Sequence, residues 1–262
     1  ALEEAVFLIP SRWINGGKGL NDFREFMASF GGFRLIRDYP DSLELINSVK
    51  LAGGLLICHW KSGYSGKTTY EYVSNGNVIE TQRDMRTISS SFVRDPLAIS
   101  IIKKIEKNYN RKLSESVRPR NYYKIPSNYE SNDGDVLVYG SRGIQKIESV
   151  KLNGKDITKH KVVLSKASNE SAGKVDANGQ KRVFAKIEIL EPNIVCTESY
   201  IVMYENADLN LCKGFRDYLK SKVVRFLVNI VLPTQNISTK SFVYVPDWYP
   251  GLDYSYKALG LT

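Results

Sequence analysis

The chain reads as α/β: the closing edge of a doubly wound sheet, followed by an α+β portion of short strands and one long helix. Three observations predict this. Residues 5–9 form a short apolar run that ends at Pro10-Ser11; a Gly16-Gly17-Lys18-Gly19 turn follows, then Leu20, Phe23, Phe26 and Met27 at helical spacing. That is a strand, a glycine loop and an amphipathic helix, the crossover unit of a parallel sheet. From Gly134 onward, short apolar runs alternate with turn sequences, and between 209 and 231 Leu211, Phe215, Leu219, Val223, Phe226 and Ile230 recur three and four apart.

Taken in order, strand 5–9 and helix 20–30 lead through Gly31-Gly32 into a strand over 33–39, closed by Pro40. Gly53-Gly54 opens the continuous apolar run 55–60, suited to a buried strand. The turn 62–66 should return it as a hairpin to a strand over 68–73, and Asn75-Gly76 marks another turn. Asp95-Pro96 is a helix start, and a helix to about 109 would carry Leu97, Ile101, Ile102 and Ile105 on one face and Lys103, Lys104 and Lys107 on another. The stretch 118–129 is aromatic and basic with two prolines, hence loop. Turns at Asn132-Asp133-Gly134, Asn153-Gly154 and Asn178-Gly179 separate short strands, with further strands over 187–189 and 195–204. The last helix runs from about 209 to 231, weakened locally by Gly214. Domain boundaries are expected at 1–82 and 83–262.

Composition points to a globular, cytoplasmic, polyanion-binding chain. No run approaches the ~20 apolar residues a membrane helix needs. Glu3 and Glu4 stand where a signal peptide would be basic, and Cys58, Cys196 and Cys212 form no spaced framework, as suits a reducing compartment. The net charge of +9 is concentrated: residues 83–124 carry a net +7 and residues 140–186 another +7, while the flanks are near neutral. Two such blocks read as a footprint for phosphate backbones.

The candidate contacts lie in these blocks and at the glycine loop. Arg12 and Lys18 flank the Pro-Ser and glycine turns at a strand's carboxyl end, where ligands of open α/β sheets sit; a phosphate contact there competes with simple helix capping. Arg118, Arg120, Tyr122, Tyr123 and Lys124 combine guanidinium forks with aromatic faces. Arg142, Lys146, Lys161, Lys166, Lys174, Lys181 and Arg182 line turns of the second block. Gln235 and Asn236, followed by Ser238, offer amides that can read an adenine edge or simply form a turn. Other signals are weak. Gly63-Tyr64-Ser65-Gly66-Lys67-Thr68 has two residues between its glycines where a phosphate loop needs four. His59 and His160 are the only histidines and have no Cys-x-x-Cys beside them, so no metal site is expected. Nothing orders a Ser-His-Asp triad, and Glu148-Ser149-Val150-Lys151 has one residue too many for a nuclease Glu-x-Lys.

The wording of several segments is more specific. Ile9-Pro10-Ser11-Arg12-Trp13, then Gly16-Gly17-Lys18-Gly19-Leu20 and Phe23-Arg24, resembles the late strand of the catalytic domain in type II restriction–modification DNA adenine (N-6) methyltransferases, type IIG-like. The resemblance continues in family order. Ser89-Ser90-Ser91-Phe92-Val93-Arg94-Asp95 resembles the entry into the target-recognition region, and 160–168 matches a Lys-Val-x-x-x-Lys-Ala-Ser segment. Val195-Cys196-Thr197-Glu198-Ser199-Tyr200 resembles a Val-Cys-Thr-Glu-Thr-Tyr strand, and 218–227 a Tyr-Leu-x-Thr-Lys-x-x-Arg-Phe-Leu helix. Thr234-Gln235-Asn236-Ile237-Ser238, Phe242-Val243-Tyr244-Val245-Pro246 and the closing Tyr-Lys-x-x-Gly-Leu-Thr at 256–262 follow. Matches fade at 61–88, 130–155 and 169–186.

The resemblance implies the closing strands of a Rossmann-like methyltransferase sheet followed by an α+β target-recognition domain. In the family the matched strand lies downstream of the cofactor and catalytic motifs, so this chain is expected to begin after its own active site. No two prolines are adjacent, so the family's Asn/Asp-Pro-Pro-Tyr/Phe loop is absent, and no strand is read as preceding a Gly-x-Gly turn with an acidic residue after it, so the cofactor site is expected to be absent too. Catalytic, cofactor-binding and metal residues are therefore expected to be none; S-adenosylmethionine belongs to the full-length parent, which extracts its adenine from the duplex. The expected partners are double-stranded DNA and an N-terminal catalytic domain, with no membrane. The alternatives are a nuclease complete within these residues and a non-enzymatic nucleic-acid-binding protein.

Overall fold

The computed structural model describes residues 2–15, 19–51, 53–89, 91–148, 152, 154–167, 183–232 and 236–259. The chain is mixed α/β and forms two units: Ala1–Ile101 with Ile230–Thr234, and Ile102–Asn229 with Gln235–Thr262. The division falls at 101/102 rather than at 82/83. The reason is Arg83, which donates to the carbonyls of Val93 (2.9 Å) and Arg94 (3.4 Å) and stacks 5.1 Å from the ring centroids of Tyr70 and Phe92. Those contacts hold 83–94 on the first sheet.

The first unit contains β1 (Glu4–Pro10), α1 (Asn21–Phe30), β2 (Phe33–Tyr39), β3 (Leu55–Lys61), β4 (Thr68–Ser74) and β5 (Asn77–Arg83), in sheet order β1-β3-β2-β4-β5. β3 lies antiparallel between β1 and β2, so these two strands run the same way and α1 is their crossover. The expected β3–β4 hairpin does not form: β2 lies between them and pairs with β4 in parallel. The hairpin is β4–β5, turning at Asn75 (φ 52°) and Gly76 (φ 74°), whose N–H groups both donate to the Glu44 carboxylate at 3.2 and 3.0 Å. One face carries the core: Ile36, Leu56, Cys58 and Tyr70 pack with Trp13, Ile14 and Met27. Of the apolar positions expected to bury on α1, only Met27 does. Phe23, Phe26 and Phe30 stay exposed and stack on one another and then on Trp60, with centroids 6.4, 5.6 and 5.2 Å apart.

The Asp38–Arg94 ion pair is the most deeply buried one of this unit among the described residues. Asp38 on β2 is fully buried and accepts from Arg94 Nε (2.7 Å), from Arg94 Nη2 and from the Tyr70 hydroxyl, while Arg94 Nη1 donates to the Gly53 carbonyl at 2.6 Å. Burial works against the Arg94 guanidinium, yet Asp38 outweighs it and holds it above its ordinary value. Burial first, then the Asp38 charge, pushes the Tyr70 phenol well up.

α2 (Pro96–Asn108) begins as expected, with Asp95 accepting from the Leu97 N–H at 2.8 Å. Its buried residues include Ala98, Ile102 and Ile105; Leu97 is exposed.

The second unit contains α3 (Leu113–Ser116), β6 (Val136–Gly140), β7 (Gly143–Ile147), β8 (His160–Ser165), β9 (Ile187–Leu190), β10 (Ile194–Cys196), β11 (Tyr200–Asn206), α4 (Leu209–Lys220) and α5 (Lys222–Asn229). Its strands form two three-stranded sheets, β10-β6-β7 and β11-β8-β9. Val136, Val138, Ile147 and Val195 from one and Val163, Leu190 and Val202 from the other share a core with Tyr123 and Ile125. The run 195–204, expected as one strand, breaks at a turn in which the Tyr200 N–H donates to the Thr197 carbonyl (3.1 Å), so β10 and β11 enter different sheets. The long helix breaks too. Ser221 is extended (ψ 152°), and its Oγ accepts from the Val224 N–H at 3.3 Å, which starts α5 afresh. Gly214 has a packing reason: a Cβ there would stand 3.2 Å from the Trp248 ring, which packs 5.6 Å from Phe215. No helix among the described residues is long and apolar enough to cross a membrane.

Removing one partner of a buried ion pair leaves the other charge uncompensated. Asp38→Ala is therefore expected to cost about 3–5 kcal/mol in denaturant unfolding. Arg86→Ala, at the exposed Asp84–Arg86 pair, is expected to leave the unfolding midpoint nearly unchanged. Equal losses would show that the Asp38 network does not hold the sheet.

Candidate nucleic-acid interface

The loop 118–129 follows α3 and is pinned at both ends to the second unit: the Arg118 N–H donates to the Val202 carbonyl (3.1 Å) and the Glu198 N–H to the Ile125 carbonyl (2.8 Å). Between them Asn121 (φ 55°) and Lys124 (φ 57°) turn the chain in the left-handed region, and the Lys124 N–H closes the turn on the Asn121 carbonyl at 3.0 Å. The turn keeps the two adjacent tyrosine rings edge to face, 4.9 Å between centroids, but gives them different exposure. Tyr123 is buried and its hydroxyl donates to Glu205 at 3.3 Å, whereas Tyr122 stays partly exposed with Arg120 and Lys124 exposed beside it.

Glu205, near the end of β11, also accepts from Arg118 Nε at 2.7 Å, and this bond holds the guanidinium above its ordinary pKa. Arg118 in turn lies 5.1 Å from the Tyr122 ring centroid, and the Lys155 ammonium stands 3.9 Å from that same centroid. Burial, and then the charges of Lys124 and Arg118, lower the Lys155 pKa, with Glu205 opposing them. Arg118 and Lys155 thus gather at one tyrosine ring with Lys124 near enough to be felt, and the Glu205 carboxylate answers them.

The structure brings together Arg118, Arg120, Tyr122 and Lys124 of the expected contacts and places the others elsewhere. Tyr123 belongs to the core, because its hydroxyl has a buried carboxylate to reach. Lys161 is a correction: it is fully buried, its ammonium donates to the carbonyls of Ile157 (2.8 Å) and Lys159 (2.6 Å), and burial lowers its pKa. Its place on β8 opposite Glu205 turns it inward. Arg142 clamps its own neighbourhood, donating to the Tyr129 carbonyl at 2.7 Å with the guanidinium 5.5 Å from that ring. Lys146 is exposed on β7, and Lys166 is half-buried beside the Ala167–Asn236 bridge, which gives Asn236 a backbone role. Arg12, in the first unit, caps no helix; its Nε is buried without a hydrogen-bond partner among the described residues. Lys18, Lys174, Lys181, Arg182 and Gln235 lie outside the described residues.

Two residues of the patch were missed. Lys155 follows the Asn153-Gly154 turn signal in the second basic block, and Glu205 is the one acid in the apolar run Tyr200–Asn206. An acid in such a strand calls for cations, which is the signal that would have found it. The reading that no acid follows a Gly-x-Gly turn also needs correction, since Gly17-Lys18-Gly19 follows β1 and Asp38 lies near the end of β2. Asp38 is nevertheless consumed by Arg94 and Tyr70, so its carboxylate does not suit a cofactor hydroxyl. Among the described residues, no three or more His, Cys, Asp or Glu side chains converge as metal ligands would.

If Lys161 is a core residue, Lys161→Met keeps duplex affinity within about two-fold while Lys124→Ala lowers it. The stability should also carry a pH signature. The folded pKa of Lys161 lies below the unfolded ~10.4, so the unfolded state binds more protons in that window. Wild-type stability relative to Lys161→Met therefore rises with pH as 10.4 is approached; a flat or falling difference contradicts the burial. No family model matches the chain, and no curated protein matches it either.

Proposed function

We propose that the chain grips double-stranded DNA and serves as the target-recognition part of a cytoplasmic, S-adenosylmethionine-dependent DNA adenine (N-6) methyltransferase of a restriction–modification system. The first unit would then hold the last strands of a Rossmann-like catalytic sheet, and the second unit would be the recognition domain. The observation that carries DNA binding is the crowding of Arg118, Lys124 and Lys155 about Tyr122, with Glu205 as the counter-charge. Like charges held together in this way are stabilised by an incoming polyanion, and the partly exposed ring beside them adds an aromatic contact for sugar or base.

The methyltransferase reading rests on the ordered sequence resemblance, and two features of the first unit support it. The β1–α1–β2 crossover suits an α/β sheet. Among the described residues β1 is an edge strand, and Val6 and Leu8 stand exposed along it, as a strand that takes cover from a catalytic part would be. On this reading the chain's role in the reaction is to bind and orient the duplex for catalytic groups of the rest of the enzyme.

Binding of the chain to a short duplex should weaken steeply with salt. With ~4–6 phosphates neutralised, the log–log slope is expected near −4 to −5, and Lys124→Ala or Lys155→Ala should each reduce its magnitude by about 1. A salt-independent isotherm, or no binding at low salt, would remove the reading.

A further inference from the structure

A second cationic feature lies in the same unit, apart from the Tyr122 patch. A cleft of about 300 Å³ opens between the segment entering β9 and the α4–α5 elbow, lined by Phe184, Lys186, Ile187, Lys220 and Arg225. Three of its side chains are cations, and no carboxylate lines it among the described residues. Lys186 rests 5.0 Å from the Tyr139 ring centroid, with Glu188 3.7 Å from its ammonium at the rim. Arg225 is the telling residue. Its Nε is buried and has no hydrogen-bond partner among the described residues, although a guanidinium is a five-donor fork that buried sites ordinarily satisfy.

We propose that this cleft is a phosphate-binding site in which Arg225 and Lys220 hold the anion and Lys186 closes the rim. The size and charge favour a phosphate over a carboxylate. Three cations oppose one bound group, which matches the −1 to −2 charge and several acceptor oxygens of a phosphate. An arginine held by its elbow helix supplies a fixed fork, whereas Lys186 and Lys220 are exposed point charges able to follow the ligand. The phosphate could come from a nucleic-acid backbone or from a small free phosphate, and the two sources are separable.

The test uses the whole chain, with inorganic pyrophosphate as one probe and a 12-base-pair duplex as the other. Wild type should bind pyrophosphate stoichiometrically in calorimetry, and Arg225→Gln and Lys220→Gln should each weaken it about ten-fold or more, the loss of one charged hydrogen bond. Lys220→Gln changes an exposed side chain, so it keeps the test valid if Arg225→Gln does not fold. Weakening of duplex binding in parallel assigns the site to a backbone phosphate. Loss of pyrophosphate alone assigns it to a free phosphate, and this arm stands even if wild type binds no duplex. Absence of pyrophosphate binding by wild type, or unchanged affinity in both variants, overturns the proposal.

Discussion

The carboxylate of Glu205 is the constraint on which the candidate interface depends. It sits on β11, where a charge is costly to bury, and takes the Arg118 guanidinium and the Tyr123 hydroxyl together. Those two bonds fix both ends of the tyrosine pair. Tyr123 is buried with its hydroxyl on that acceptor; Tyr122 packs edge to face against it at the margin of the same core and stays partly exposed, with left-handed backbone on either side at Asn121 and Lys124. Without Glu205 the loop would lose the anchor that orients Tyr122, and Arg118 would have no reason to lie across its ring.

The buried Asp38 and the partly buried Glu205 are answered differently, and the difference separates structure from function. Asp38 receives a two-nitrogen contact from Arg94 and a phenol, and Arg94's remaining nitrogen reaches Gly53; that network is closed. Around Glu205, one carboxylate faces Arg118 and attracts Lys155 and Lys161 as well. Lys161 resolves its burial through two carbonyls and leaves the accounting. The others remain in excess at the surface. Burial and then their mutual repulsion lower the Lys155 pKa, and that repulsion is what a phosphate among them would relieve.

Much of the fold was legible where local patterning decides it. Strand 33–39 has the bounds its apolar run and Pro40 suggest, and α2 starts at Pro96 behind Asp95. What failed was decided by tertiary partners. β3 and β4 are neighbours in sequence, yet β2 intercalates between them, and no local signal reports which strand a strand will pair with. Ser221 reads as a tolerated helix residue until its hydroxyl is seen capping a second helix. The site was half legible. Basic residue type located 118–124, but a lysine's sequence neighbours do not reveal whether its strand faces inward, so Lys161 looked like Lys124. Lys155 and Glu205 join the patch only through long-range pairing of β8 and β11 and the turn before them.

Hydrogen–deuterium exchange of the chain with and without a short duplex at low salt tests the central claim most directly. The account predicts slowed exchange across 118–124 and around Lys155, with the first-unit sheet little changed. Protection confined to the first unit, or none at 118–124 despite saturated binding, would contradict it.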